Sequence, residues 1–93
     1  MNVDSRKIER MCKALGDSYR IKMMEAIKKE TDWMPCSRLV EMFDLAQSTV
    51  SHHLKQLVDA DLLHHNKDGR CTHYKINKES MDEYIAFLKE FGG

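Results

Sequence analysis

The alternation of apolar and polar residues is clearest in residues 46–63, where it predicts an amphipathic helix. Apolar side chains recur there at i, i+4, i+7 and i+8 and form one stripe: Val50, Leu54, Leu57 and Val58. Because each residue turns a helix by about 100°, the opposite face carries small and polar side chains: Ser48, His52, Lys55 and Asp59, flanked by Thr49 and Gln56. Such a face is typical either of a solvated helix or of one that contacts phosphates and base edges in the DNA major groove.

Three further helices are predicted before this stretch. The first ends near Gly16, and its apolar stripe is Ile8, Met11, Cys12 and Leu15. The second is capped by Asp17 or Ser18 and runs to about residue 29; its inward face is Ile21, Met24 and Ile27. The third is capped by Ser37, and its apolar residues are Leu39, Val40 and Phe43.

Two connections frame the third helix. Residues 34–36 before it are expected to be extended, because Pro35 disfavours a helical backbone in its predecessor. Residues 44–46 after it form a tight link to the 46–63 helix. Two short helices joined this closely predict a helix-turn-helix, in which the second helix enters the major groove.

A β-hairpin is predicted directly after the 46–63 helix, because Asp68-Gly69 is a strong turn signal between two alternating segments. The faces of its second strand carry Cys71, His73 and Lys75 on one side and Thr72, Tyr74 and Ile76 on the other. Lys67 and Arg70 at the tip are placed to contact a phosphate or the minor groove, which would make the hairpin a wing. A plain hairpin that closes the fold is the alternative interpretation.

A last amphipathic helix is predicted over about residues 80–91. Its apolar face is large for so small a domain: Met81, Tyr84, Ile85, Leu88 and Phe91. We expect this helix to pack on the first helix, at about 5–15, and on a second copy of the chain. The interface residues expected from the two terminal helices are Ile8, Met11, Leu15, Tyr84, Leu88 and Phe91.

The chain of 93 residues suits one domain, residues 1–93, and its fold class is mainly α with a small β-hairpin, in the order α-α-α-α-β-β-α. No segment offers the roughly 18 apolar residues of a membrane span, and the N-terminus lacks the apolar region of a signal peptide. Three cysteines, spaced by 24 and 35 residues, form neither a disulfide framework nor a Cys-x-x-Cys pair. We therefore expect a reduced, cytoplasmic protein with no membrane partner.

The charge is balanced overall but unevenly distributed. Fifteen Lys and Arg oppose fifteen Asp and Glu, which argues against a general polyanion binder. Residues 1–30 carry +3 and residues 46–78 carry +2, whereas residues 31–45 and 79–93 carry −2 and −3. We expect DNA binding that is weaker per monomer than that of a basic domain and sensitive to salt.

Three motifs, in order, resemble the ArsR/SmtB family of bacterial winged-helix repressors. KALGDSYRIKMMEAI at 13–27 is similar to the family's K-A-L-x-D-x-x-R-x-x-I-L-x-x-L, LAQSTVSHHLKQLVDADLL at 45–63 to its L-x-Q-S-T-V-S-H-H-L-K-x-L-x-x-A-G-L-V, and GRCTHYKIN at 69–77 to its G-R-x-x-Y-Y-x-L-N. The resemblance implies a winged helix-turn-helix homodimer that binds a pseudo-palindromic operator in double-stranded DNA. The DNA-facing residues that it implies are Gln47, Ser48, Thr49, Ser51, His52 and Lys55, with Arg70 from the wing.

Two residues depart from the family pattern. Ala46 stands where the family commonly has a Ser cap, a loss of about 1 kcal/mol, so we expect Asp44 or Ser48 to compensate or the helix start to fray. Asp61 stands where Gly is usual, which requires either a left-handed backbone or a shifted helix end.

The thiophilic-metal motifs common in the family are absent. The third helix offers Cys36 alone instead of Cys-x-Cys, and the segment from residue 80 contains no His or Cys. No cofactor is certain; Cys12 and Cys36 of opposite protomers are candidates for a soft metal or As(III), which would need a third ligand, or for a redox disulfide. Both cysteines also fit as small core residues.

The histidines have simpler interpretations. The hairpin residues His64, His65 and His73 are candidates for Zn or Ni, with solvated side chains as the alternative. His53 is expected to be hydrogen-bonded inside the domain, whereas Cys71 is expected to fill a strand position.

We predict a dimeric, sequence-specific DNA-binding transcriptional regulator of the repressor type. The alternatives are a sensor acting through Cys12 and Cys36, or a winged-helix module that binds protein instead of DNA, which the zero net charge favours. An enzyme is not expected, because the sequence has no glycine-rich phosphate loop and no nucleophile elbow.

Overall fold

Five helices and a small antiparallel sheet form the fold of residues 4–92, which the computed structural model describes. The elements are α1 (Ser5–Ala14), α2 (Ser18–Lys29), β1 (Met34–Pro35), α3 (Cys36–Phe43), α4 (Gln47–Asp59), β2 (Leu63–Asp68), β3 (Cys71–Ile76) and α5 (Lys78–Gly92). The predicted order of helices and hairpin is confirmed. The extended segment expected at 34–36 is strand β1 over Met34–Pro35, whereas Cys36 already belongs to α3. No helix among these elements is long and apolar enough to cross a membrane.

The sheet joins the hairpin to the segment before α3. Its strand order is β1-β3-β2, and Met34 pairs with Tyr74, which also pairs with His65. Met34 and Tyr74 are buried, because cross-strand partners share a face and this face lies on the core. The hairpin turns at Gly69, which has φ +65°, a left-handed value that glycine adopts without strain.

Aspartate and asparagine caps begin three of the helices. The Asp4 carboxylate accepts from the Arg6 N–H at 2.9 Å, and Asn77 accepts from the Ser80 N–H at 3.2 Å. Asp17, one of the two predicted caps of α2, accepts from the backbone N–H of Tyr19 at 2.9 Å.

The hydrogen bonds of the α2 cap also affect the pKa of Asp17. Partial desolvation raises the pKa of this carboxyl, but the N–H groups of Arg20 and Tyr19 and the charges of Arg20 and His53 outweigh it. The pKa of Asp17 is therefore lowered below its ordinary value. Because the folded state favours the carboxylate, this contribution to stability is present above the unfolded pKa and is lost as the pH falls through the folded one.

The prediction that Ser37 caps α3 was wrong. Pro35 occupies the cap position, with φ −73° and no side-chain hydrogen bond, and its pairing with His73 fixes where the strand ends. The helix therefore begins at Cys36, two residues before Arg38, where a Ser37 cap would have started it.

The departures at Ala46 and Asp61 resolve differently. Asp61 adopts φ 61°, which confirms the left-handed alternative, and Asp44 ends α3 at φ 49°. Ala46 caps α4 without a side-chain hydrogen bond, and its carbonyl accepts from Thr49 and Val50 N–H groups at 3.0 and 3.1 Å. The helix thus begins on backbone bonds alone, without compensation by a side chain.

The core confirms the apolar stripe of α4 and corrects that of α2. Val50, Leu54 and Leu57 have no solvent exposure, and Val58 is half-buried. On α2, Met23 is fully buried whereas Ile21 is 43% exposed. Two residues turn a helix by about 200°, so a face that buries Met23 must leave Ile21 in solvent.

Candidate nucleic-acid interface

The polar face of α4 is exposed along its whole length. The residues predicted to contact DNA from this helix are all exposed: Gln47, Ser48, Thr49, Ser51, His52 and Lys55. Their position is fixed by the opposite stripe, which is buried in the core. The helix therefore presents hydroxyl, amide and ammonium groups from a rigid support.

The hairpin flanks one side of this face. Between it and α4 lies a cavity of about 290 Å³, lined among others by Ser51 and Lys55 from the helix and His65 from β2. At the hairpin tip, Lys67 and Arg70 are exposed. A second cavity, of about 300 Å³, is lined by both Arg70 and Gln47, so the tip lies near the start of α4, as a wing would.

One acidic residue belongs to the same face. The Lys55 Nζ lies 3.0 Å from the Asp59 carboxylate, and the two side chains are 70% and 59% exposed. An exposed pair one helical turn apart is worth only a few tenths of a kcal/mol. The ammonium group is therefore free to exchange this partner for a phosphate.

Arg20 forms a brace between α4 and the helices α1 and α2. The sequence pattern did not indicate this role. The Arg20 guanidinium donates to the Ala14 carbonyl at 2.6 Å and the Lys13 carbonyl at 3.4 Å, and its Nη1 lies 3.2 Å from His53 Nδ1. Because a guanidinium has only donors, Nδ1 is the acceptor. The prediction that His53 is hydrogen-bonded inside the domain is confirmed, and α1, α2 and α4 meet at this point.

The aromatic ring of Tyr19 supports the same junction. Its centroid lies 6.0 Å from the His53 ring and 6.5 Å from the Phe43 ring. These contacts join α2 to α3 and α4, so the helix-turn-helix pair is held against the helix that precedes it.

The cysteines occupy different places in the domain. Cys12 is exposed, and its Sγ lies 3.5 Å from Tyr84 Oη on α5. The hydrogen bond with Cys12, together with burial and the charge of the Cys12 thiolate, raises the pKa of Tyr84 to about 12. The interpretation of Cys12 as a core residue was wrong, because Met11 takes the inward position of that turn.

Cys36 lies beside α4. It is half-buried, and its Sγ lies 4.0 Å from Ser51 Oγ. Burial raises the pKa of the Tyr74 phenol, and the nearby Cys36 thiolate raises it further. Cys36 therefore lies in contact with α4 through Ser51.

Within residues 4–92, no group of three or more His, Cys, Asp or Glu side chains is placed to hold a metal ion. On the hairpin, His64 pairs with Lys75 and His73 pairs with Asn66, so these two histidines are offset along the sheet.

The terminal helices leave an apolar surface. On α5, Ile85, Leu88 and Phe91 are 45%, 46% and 78% exposed, and α5 is tied to α1 by the ion pair between Lys7 and Glu83 at 3.0 Å. Leu15 and Tyr84 are half-buried.

Two residues of the expected interface are corrected by the packing within the protomer. Ile8 and Met11 are 6% and 0% exposed in the single chain. Because the core already covers them, they have little side-chain surface left for a second copy. Their apolar stripe on α1 serves the core instead.

Comparison with known proteins places this geometry in a family. A model described as a helix-turn-helix domain matches residues 15–66. The chain is 35% identical to an arsenical resistance operon repressor of Bacillus subtilis over 81 residues, which cover 87% of the chain and 76% of that protein. It is 32% identical to a repressor of the same name in Staphylococcus aureus over 83 residues, which cover 89% and 78%.

Solved structures share the fold. A crystal structure of an ArsR family transcriptional regulator superposes with a TM-score of 0.86 at 24% identity and covers 99% of this chain and 93% of its own. The solution structure of a homodimeric winged helix-turn-helix domain from Mycobacterium bovis superposes with a TM-score of 0.73 at 17% identity, over 94% and 79%. With these matches and the polar face of α4 beside a basic wing, the chain belongs to the ArsR/SmtB family of winged helix-turn-helix transcriptional repressors.

Proposed function

We propose that this protein is a homodimeric repressor whose two α4 faces read a pseudo-palindromic operator in the cytoplasm. The observation that carries the proposal is the exposed polar face of α4, flanked by the basic wing tip at Lys67 and Arg70. Gln47, Ser48 and Thr49 begin the helix, where a recognition helix usually contacts base edges. Lys55, Lys67 and Arg70 supply cations for phosphates.

Pairing through the terminal helices accounts for the apolar surface on α5. Leu88 and Phe91 expose much of their side chains to solvent in the single chain. A small domain gains buried apolar area by covering such a surface with a second copy. A two-fold pair would then present two α4 faces about 34 Å apart, one turn of the duplex.

Substitution of the basic contacts tests the DNA face. We expect Lys55→Ala and Arg70→Ala each to weaken binding to a duplex selected from a randomised pool by about tenfold, because each removes a charge-assisted contact to phosphate. The slope of log K against log salt should flatten by about one for each variant. Fluorescence anisotropy at several salt concentrations measures both quantities.

Lys78→Ala is the matched control for Lys55→Ala. Lys78 Nζ lies 3.1 Å from Asp82 in the same i,i+4 arrangement, but on α5. The Lys78→Ala variant should bind the duplex with the same affinity and the same salt slope as the unsubstituted protein. Unchanged binding by both Lys55→Ala and Arg70→Ala would refute the assignment of the DNA face.

We further propose that the signal for release acts on a thiol. The arsenical resistance repressors among the relatives support a trivalent arsenical as the effector, and soft thiolates suit it. Since residues 4–92 of one protomer hold no cluster of three ligands, a full site would draw on two protomers, with Cys12 and Cys36 as the candidates. Cys36 is well placed to transmit the signal, because its Sγ lies 4.0 Å from Ser51 on α4.

An arsenite titration of the reduced dimer on DNA tests the effector. We expect release of the duplex, and we expect Cys36→Ser to abolish it while Cys71→Ser, a change at an exposed position of β3, preserves it. Release that persists in Cys36→Ser would remove Cys36 from the mechanism. Absence of release in the unsubstituted protein would show that arsenite is not the effector.

A further inference from the structure

Three basic side chains from α1 and α2 gather beside the C-terminal half of α4. Arg10, Lys13 and Arg20 line a cavity of about 310 Å³ together with Gln56 and Asp59 of the recognition helix. The DNA-facing residues already assigned do not include any of these cations. The cavity opens on the flank of α4 that the wing does not cover.

Helical geometry shows that the wing and this cluster lie on opposite flanks. With Ser48 as the centre of the outer face, Ser51 lies about 60° to one side and Gln56 about 80° to the other. Ser51 lines the cavity against the hairpin, and Gln56 lines the cavity against α1 and α2. The α4 face is therefore bordered by cations on both sides.

The three cations are available to a ligand to different degrees. Arg10 is exposed and forms no ion pair among the described residues. Lys13 pairs with Glu9 at 3.1 Å, but both side chains are mostly exposed, at 76% and 65%, so the pair is weak. Arg20 uses three donor contacts on the Lys13 and Ala14 carbonyls and on His53, which leaves two of its five N–H groups.

The three cations belong to the basic N-terminal third of the chain. Residues 1–30 carry a net charge of +3 in a chain whose total is zero, and the contacts assigned to α4 and the wing do not use it. A major groove about 12 Å wide is bordered by a phosphate backbone on each side. The wing lies on one side of α4 and can contact only one of these two backbones.

We propose that Arg10 and Lys13, steadied by Arg20, bind the DNA phosphates along the groove edge opposite the wing. The proposal rests on the proposed function, since it adds a second row of backbone contacts to the same DNA face. Phosphate contacts carry no sequence information, so the cluster should contribute affinity and register to every duplex.

Binding by single-site variants tests the proposal. We expect Arg10→Ala and Lys13→Ala each to weaken binding by about 3- to 10-fold, to both a random-sequence 30-base-pair duplex and a selected one, and to flatten the salt slope by about one. We expect Glu9→Gln to strengthen binding, because it releases Lys13 from its carboxylate partner. Lys22→Ala is the control: Lys22 is exposed on α2, about 200° around the helix from Arg20.

The outcomes separate this proposal from the assignment of α4. Suppose that Arg10→Ala, Lys13→Ala and Glu9→Gln all bind DNA as the unsubstituted protein does, while Lys55→Ala loses affinity. The phosphate contacts of Arg10 and Lys13 are then refuted, and the assignment of the α4 face is retained. If Lys55→Ala and Arg70→Ala also both bind normally, the assignment of the DNA face itself is wrong. Sedimentation of each variant reports whether it remains a dimer. If Arg10→Ala or Lys13→Ala becomes monomeric, the Glu9→Gln variant decides the question: stronger DNA binding supports the phosphate contacts, and unchanged or weaker binding refutes them.

Discussion

Leu88→Glu is expected to convert the protein to a monomer and to weaken binding to a selected duplex by about 10²- to 10⁴-fold, the gain that linking two binding units provides. Leu88 is 46% exposed on α5, in the apolar surface proposed to pair with a second copy. A carboxylate there would have to be buried without a partner in the dimer. In the monomer it remains solvated, and glutamate is as good a helix former as leucine, so the fold should survive.

Sedimentation velocity and anisotropy measure the two effects of Leu88→Glu. Ile21→Glu is the matched control, because Ile21 is 43% exposed on α2 and receives the same change in polarity. We expect it to remain dimeric and to bind DNA normally. A Leu88→Glu protein that stays dimeric would exclude the α5 surface as the interface.

Leu54→Ala is expected to have the largest effect on stability. Leu54 has no solvent exposure and anchors the middle of α4 to the core. Large-to-small substitutions of this kind lower the free energy of unfolding by about 2–5 kcal/mol, which is a large part of the 5–15 kcal/mol that a typical domain has. For a domain of this size each kcal/mol lowers Tm by about 4–8 °C.

Thermal unfolding at a fixed protein concentration checks this prediction, since dimerisation makes Tm depend on concentration. Gln56→Ala is the control on the same helix; Gln56 is exposed, and such surface changes usually stay within about 0.5 kcal/mol. A loss below about 1 kcal/mol for Leu54→Ala would mean that the α4 stripe does not form the core contact.

The recognition helix was the element best predicted from sequence, and the reason is physical. Val50, Leu54 and Leu57 repeat at helical spacing, and a helix buried on one side needs nothing more to define which residues face outward. The Asp17 cap and the left-handed Asp61 were each predicted as one of two alternatives, because each depends on local backbone chemistry, and the structure shows which alternative holds.

Local sequence patterns were insufficient where contacts between distant parts of the chain decide which residue is buried or which residue caps a helix. Ile21 fits the spacing of a single stripe with Met24 and Ile27, yet it is 43% exposed, and α2 buries Met23 together with Met24 and Ile27. Ser37 lost the cap position because β1 pairs with β3, a contact between residues distant in sequence. No single-stretch pattern contains that information.

The Arg20 brace and the Arg10–Lys13 cluster depend on the same kind of long-range contact. Arg20 stands within the 13–27 motif, but its partner His53 is 33 residues away. The one signal available in the sequence was the +3 charge of residues 1–30, which indicates a basic surface without saying which helix it borders. The alternative of a module that binds protein instead of DNA finds no support in the repressors that the chain resembles.

The distance between the two recognition helices in the dimer is the most direct measurement of the proposed function. A spin label on His52→Cys, in a chain with Cys12, Cys36 and Cys71 changed to Ser, reports it by pulsed dipolar spectroscopy. We expect a distribution centred near 34 Å, about one turn of the duplex. Labels without dipolar coupling, or separated by less than about 20 Å or more than about 50 Å, could not enter successive major grooves and would contradict the paired α4 faces.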